Sequence, residues 1–285
     1  MGDLAIALGD ALTATALFGS VAVVVVLESM IPLRSSGVVP LLRWLNHSVL
    51  SIFNQWLQLI CWPLIIALYS KLPISSHEGL LSEISAGPWV SFWVTLVSLE
   101  FVGYWWHRLS HFVPWLWRLH AVHHSDTEVD ATTALRHHPG EVLLGSFVNL
   151  GVIMFLGTQP ITALGCSLLS LSMDAFTHGN LSLGGVGRWL RYLLVTPNFH
   201  RVHHSATLPY TNRNFSNNFP LFDCLFGTAV CWSRQQQMTM PLGLEYFRER
   251  RAVGLDRLLL QPLLPHEIPK KGEVLREQVR TGKNT

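Results

Sequence analysis

Apolar residues in this chain come in long uncharged blocks, not in short alternations. Residues 11–27 (ALTATALFGSVAVVVVL) carry no charge, and Glu28 closes the run. From Trp44 to Ser70 there is again no Asp, Glu, Lys or Arg. A third block starts at Gly87-Pro88 and runs to Trp106, interrupted by Glu100. Residues 142–173 have no charge, and Gly157-Thr158-Gln159-Pro160 breaks them in two. A bilayer crossing takes about 20 mainly apolar residues in a helix rising ~1.5 Å per residue. The first three blocks therefore predict spans near 10–31, 48–70 and 87–106. Each half of the fourth is short for a crossing. That predicts a helical hairpin entering and leaving from one side, with a buried core hairpin as the alternative. Residues 245–260 (EYFRERRAVGLDRLLL) mix basic and apolar residues at helical spacing. They predict a helix lying on the membrane surface, or a solvated packing helix. The chain after Pro265 is polar.

Charge sets the orientation. The first ten residues (MGDLAIALGD) have two Asp and no Lys or Arg, unlike the basic start of a signal peptide. The first block is therefore read as a retained span. Arg34 and Arg43 follow span one, Lys71 with Glu78 and Glu83 follows span two, and Arg residues dominate after span three. Positive residues favour the cytoplasm. This places the N-terminus outside, 33–47 inside, 71–87 outside and 107 onward inside. A hairpin at 142–173 keeps Arg108, Arg118, Arg136, Arg188, Arg191 and Arg201 on that same side.

Composition agrees. Of 285 residues 13% are charged, against about 25% in an average protein. Mean hydropathy is +0.31. The 20 Lys+Arg and 18 Asp+Glu leave +2, which excludes a disordered chain and gives no basic excess for nucleic acid. Cys61, Cys166, Cys224 and Cys231 form no CxxC pair and no disulfide framework.

Histidine is the anomaly: 14 occur, most between 107 and 204. His107 and His111 form HxxxH. His120, His123 and His124 form HxxHH, as do His200, His203 and His204. At this composition HxxHH should arise about 0.03 times per chain. On a helix, residues i, i+3 and i+4 share a face, so each box aims at one spot. Imidazole is a common ligand of iron and zinc. One tetrahedral zinc takes four ligands, whereas eight histidines suit two metals with roughly four each. Spacing does not tell iron from zinc or manganese. A two-metal nitrogen site at a membrane rim suggests oxygen chemistry. Transporters place ionisable groups mid-span, whereas these boxes lie at span ends. A zinc hydrolase would want a carboxylate base as in HExxH, which is absent. A membrane metal transporter and a zinc-dependent hydrolase remain the alternatives.

Tyr104-Trp-Trp-His107-Arg-Leu-Ser-His111, Leu116-Trp-Arg-Leu-His120-Ala-Val-His123-His124-Ser125 and Thr196-Pro-Asn-Phe-His200-Arg-Val-His203-His204-Ser205 resemble the fatty acid hydroxylase/sterol desaturase superfamily, here a bacterial member. The resemblance covers roughly 95–230. It implies a membrane enzyme with two iron ions that uses O2 and external electrons to hydroxylate or desaturate a C–H position of a lipid. Residues 1–90 would then be N-terminal spans, 91–230 the catalytic domain, and 231–285 a cytoplasmic tail. The fold class expected is all-α: three spans and a hairpin under a cytoplasmic histidine-rich di-metal cap.

Further positions carry over. His178-Gly179-Asn180 looks like the family's lone His with Asn two residues on, which makes His178 a ninth ligand and Asn180 a supporting residue. Arg136-His137-His138-Pro-Gly-Glu141 resembles R-x-H-P-x-E and places His138 near the site. Phe222-Asp223-Cys-Leu-Phe226-Gly-Thr228 resembles the family's closing motif, and Asp223 and Asn214 are expected as supporting residues. Glu100 lies seven residues before His107, where the family usually has Asp, and is expected to hydrogen-bond a ligand imidazole. The pattern D-x-N-Y-G reads Asn212-Arg213-Asn214-Phe215-Ser216 here, a departure that puts tuning or substrate in doubt. His138-Pro-Gly also resembles a haem motif of cytochrome b5, but an apolar run follows instead of a haem domain. Electrons are thus expected from a separate cytochrome b5- or ferredoxin-like protein. Arg118, Arg188, Arg191 and Arg201 suit an acidic donor, although positive-inside bias accounts for them better. The expected location is a bacterial inner membrane, multi-pass, with the histidines cytoplasmic.

Overall fold

The computed structural model describes residues 2–35, 41–69 and 79–264. Among these, every regular element is helical, with two isolated bridges, Pro32–Leu181 and Ser205–Leu242. The helices are α1 (Gly2–Met30), α2 (Leu41–Tyr69), α3 (Leu80–Glu83), α4 (Pro88–Phe112), α5 (Pro114–His124), α6 (Pro139–Leu156) and α7 (Pro160–His178). Short helices follow: α8 (Gly184–Leu190), α9 (Pro197–His203), α10 (Leu221–Leu225), α11 (Arg234–Thr239) and α12 (Leu255–Leu260). Five of them begin on proline. Its fixed φ suits the first helical turn, and its missing N–H is one that turn would leave unpaired.

Helices α2 and α4 expose rows of apolar residues and bury polar ones beside Leu50, Leu96 and Tyr104. On α4, Trp89, Trp93, Val97, Phe101 and Trp105 recur every fourth residue and are exposed. The buried face of the same helix holds Ser91, Thr95, Glu100 and Ser110. On α2, Ile52, Phe53, Trp56, Ile60 and Leu64 are exposed while Ser51 and Asn54 are buried. Apolar surface on this scale marks a face that water does not cover in the working protein. Two helical stretches, Ala11–Met30 and α6, are long and apolar enough to cross a membrane by length and composition.

The 142–173 segment does turn back at Gly157, where φ is 66° and the left-handed conformation favours glycine. A Cβ on Gly79 would lie 2.3 Å from the Gly157 backbone, so α3 packs directly on this turn. Two details differ from expectation. The arms have 18 and 19 residues, because α6 reaches back to Pro139 and α7 on to His178. They also splay: α6 packs on α2 and α4, while α7 packs on α1 and α4. Both arms thus start or finish at the histidine end of the bundle.

The surface helix expected over 245–260 is not present as one element. The stretch breaks at Gly254 into a 3₁₀ turn (Arg250–Val253) and the six-residue α12. Leu258 of α12 is fully buried against Leu50 and Val122. The apolar side of this segment packs onto protein, which is the packing alternative. The polar tail after Pro265 lies outside the described residues.

The end that carries the histidines is held by ion pairs. Arg43 binds Asp126 at 2.8 Å and Asp130 at 2.7 Å. Burial alone would raise the Asp126 pKa, but the Arg43 guanidinium outweighs it and holds the carboxyl well below the usual range. This ties the start of α2 to the loop after α5.

Candidate metal centre

Four elements deliver the histidines: the C-terminal turns of α4, α5 and α7, and all of α9 with the residue after it. Nine imidazoles form two buried groups. His107, His111, His120, His124 and His203 each turn one ring nitrogen into the first; His123, His178, His200 and His204 do so in the second. Within each group the nitrogens lie within 4.8 Å of one another. These are the nine histidines singled out from the sequence.

Their distribution differs from expectation in one respect. An HxxHH box does not aim at one spot but is split. His120 and His124 serve the first group and His123 the second; His200 and His204 serve the second and His203 the first. Positions i and i+4 are offset by ~40° around a helix, whereas i+3 and i+4 are ~100° apart. Each box therefore reaches two centres, and the boxes cross over reciprocally. The His124 and His204 rings stack between the groups, 4.6 Å apart at 17°.

On five of the nine rings, hydrogen bonds at the outer nitrogen fix the inward lone pair. His107 Nδ1–H donates to the Phe215 carbonyl at 2.7 Å, and His203 Nδ1–H to the Arg213 carbonyl at 2.7 Å. His120 Nδ1–H donates to Glu141 Oε1 at 2.5 Å, and His111 Nδ1–H to Asn212 Oδ1 at 3.1 Å. His178 Nδ1–H donates to the Asp174 carbonyl at 2.8 Å, with the Asp174 carboxylate 3.2 Å away. With the proton on Nδ1, each Nε2 presents a lone pair. His107 Nε2 and His120 Nε2 are nevertheless 3.1 Å apart, as are His124 and His120 Nε2, and His178 and His123 Nε2. For His107 and His120, whose protons are both held on Nδ1, two lone pairs face at that distance and repel unless a cation lies between them. Nitrogens each ~2.1 Å from one metal ion lie roughly 3.0–3.4 Å apart, which is the spacing found. His111 Nε2 and His203 Nε2 are buried with no hydrogen-bond partner. The donor set thus fits two metal ions.

Electrostatics keep the ligands in their binding form. Burial, reinforced by neighbouring imidazoles, pushes the pKa values of His123, His124, His200, His203 and His204 well below the ordinary value. Neutral imidazole is the ligating species.

The remaining expected site residues stand elsewhere. Glu100 touches no histidine; it accepts from Asn218 N, Asn218 Nδ2 and Phe219 N at 2.7–3.2 Å. Seven residues of helix span about 10 Å, beyond the reach of a carboxylate to His107. His138 is outside both groups: it caps α6, with Nδ1 accepting from Gly140 N and Nε2 on the Leu259 carbonyl. Asn180 binds Arg34 and Arg201 rather than a ligand. Asn214, at φ 56°, staples the Phe199 and Val230 backbones. Asp223 acts at one remove: it accepts from Phe215 N and Ser216 N, fixing the turn whose carbonyl holds His107.

Sequence reasoning missed three partners. Asp174 lies four residues before His178 on one helix, a spacing that could have shown it. Glu141 was in view within its motif but without a role. His137 stacks on His123 at 4.3 Å and 10°, with Nδ1 3.5 Å from Glu141 Oε2. Burial disfavours charge on His137, but Glu141 and then Asp174 outweigh it and raise its pKa.

Comparison with known proteins bears on this segment. Residues 92–228 match the family model described as fatty acid hydroxylase. The match makes this segment similar to that family. Among curated relatives, alkylglycerol monooxygenase of Xenopus tropicalis is 30% identical over 143 residues, 50% of this chain and 31% of the relative. Ornithine lipid hydroxylase OlsE of Rhizobium tropici is 30% identical over 178 residues, 59% of this chain and 50% of the relative. The very-long-chain aldehyde decarbonylase GL1-5 of Oryza sativa subsp. indica is 29% identical over 161 residues, 53% and 23% respectively. The chain spans half or less of these relatives' length. No solved structure gives a significant match. The matched segment contains all nine inward histidines and ends at Thr228.

Proposed function

We propose that this protein is a multi-pass membrane oxygenase that hydroxylates a C–H position on the alkyl chain of a polar lipid. The observation that carries the reading is the pair of buried all-histidine groups, each with its ring nitrogens turned to one point. His107, His111, His120, His124 and His203 would hold one iron, and His123, His178, His200 and His204 the other. Two irons supplied with electrons from a separate cytochrome b5- or ferredoxin-like donor would activate O2 for insertion into an unactivated C–H bond. The chain's own part is to set and shield that centre. The carbonyls of Phe215, Arg213 and Asp174, with Glu141 and Asn212, hold five of the nine ligand rings in one tautomer. Such partners of a ligand imidazole typically set metal affinity as well as orientation. Burial of the ligands excludes bulk water from the reacting centre.

Hydroxylation is favoured over desaturation because two relatives are named a monooxygenase and a hydroxylase. A zinc hydrolase is disfavoured because Glu141 and Asp174, the carboxylates at the ligands, are engaged with His Nδ1 atoms rather than free as a base. Residues 91–230 would be the catalytic domain, borne on spans from α1, α2, α4 and the α6–α7 pair. Arg34 and Arg43 contact loops at the histidine end, which supports a cytoplasmic cap in a bacterial inner membrane. The test is metal analysis and O2 uptake on the purified chain. Two irons per chain, with O2 consumed only when reductant and lipid are present, support the proposal. Stoichiometric zinc and hydrolysis without O2 uptake overturn it.

A further inference from the structure

Between the end of α1, the start of α2 and the loop after α5 lies a cavity of about 320 Å³. Glu28, Arg34, Glu128, Asp130 and Arg201 line it, with Val25, Trp44 and Leu242 as apolar wall. Asp130 is already spent on Arg43 and on the Trp44 indole N–H. That leaves two guanidiniums and two carboxylates. Among the described residues, neither Arg34 nor Arg201 lies within ion-pair distance of an acid. Arg34 donates to the carbonyls of Gln237 and Met240, and Arg201 to the Gly179 carbonyl and Asn180 Oδ1. Arg201 is 1% exposed, and its Nε–H has no partner. Glu28 uses Oε1 on the backbone N–H groups of Ala131 and Asn180.

A buried guanidinium without a counter-charge is costly, and buried charges are normally paired. Here Glu28 and Asp130 act on Arg201 across the cavity without direct contact, which only partly offsets that cost. A ligand that carries both signs would pair with each. Two of its lining residues neighbour ligands in the chain: Arg201 lies between His200 and His203, and Asn180 two residues after His178.

We propose that this cavity binds the zwitterionic head of a lipid, its phosphate or carboxylate on Arg34 and Arg201 and its ammonium on Glu28 and Glu128. The inference rests on the lipid-oxygenase reading and narrows its substrate class: a charged amino head, not a neutral glycerol ether. The head would then fix which carbon of the attached chain reaches the histidines.

The test is equilibrium binding to the purified full chain without reductant, so that it stands apart from turnover. The probes are dihexanoyl phosphatidylethanolamine, dihexanoylglycerol and inorganic phosphate. The expected result is at least tenfold tighter binding of the ethanolamine lipid than of dihexanoylglycerol. Arg34→Gln and Glu128→Gln should each remove most of that preference, and Arg34→Lys should restore part of it. Melting temperature and metal content of each variant show that it is folded; Glu128, being exposed, serves if Arg34→Gln is not. Equal binding of the two lipids, or an unchanged preference in folded Glu128→Gln, overturns the proposal. Phosphate binding as tight as the ethanolamine lipid also overturns it, as the site would then hold a free anion.

Discussion

At the residue scale, the ligands are legible from spacing, whereas their supports are not. Eight of the histidines could be named because imidazoles repeated at i, i+3 and i+4 have few other uses; the lone His178 came only from the resemblance. Glu100 was misplaced because helical phase says which face a residue occupies, not how far it reaches. Asn212 shows the opposite case. It replaces an acid, yet its amide oxygen still accepts the His111 Nδ1 proton at 3.1 Å. Asn212→Ala should therefore weaken iron binding about 10–100-fold in chelator competition, with little change in melting temperature, and Asn212→Asp should retain iron. Unchanged iron affinity in Asn212→Ala would show that the bond does not support the ligand. Glu100→Ala should behave in reverse. It strips acceptors from three N–H groups of the 218–219 turn, so stability should fall by about 1–3 kcal/mol while the folded fraction keeps its iron. Loss of iron at full stability would return Glu100 to the centre.

At the element scale, the uncharged blocks gave the long helices because a bilayer span needs an unbroken apolar run. The paths of α6 and α7 depend instead on packing partners far away in sequence, and no local pattern reports that they splay around α4. The break of 245–260 at Gly254, and the burial of Leu258 against Leu50 and Val122, are likewise tertiary. The cap formed by α5 and α9 carries a pH dependence. His123, His124, His200, His203 and His204 are held below the ordinary value of 6.5 by burial and by one another. Below about pH 6.5 the unfolded chain takes up protons that these buried rings do not. Their folded pKa values are depressed, so this stability is full above that pH and lost as pH falls beneath it. Each ring contributes up to ~1.4 kcal/mol per pH unit. The metal-free chain should therefore melt at lower temperature at pH 5.5 than at pH 7.5. A melting temperature flat across that interval would contradict the neutral, buried cluster.

At the scale of the whole molecule, outward-facing tryptophans and a buried polar face make a membrane scaffold whose one elaborate end is the histidine cap. Crossing of the two HxxHH boxes between two centres is the feature that joins fold to chemistry: neither centre is complete without both α5 and α9. The central claim is that this end oxidises a lipid. The most direct measurement is accurate-mass profiling of host lipids made under ¹⁸O2, with the wild-type chain and with His123→Ala. The account predicts a lipid that is one ¹⁸O atom heavier, present with the wild type and absent with the variant. A lipid lighter by two hydrogens would make the enzyme a desaturase. No labelled or altered lipid, from an iron-loaded wild-type chain supplied with electrons, would contradict the account.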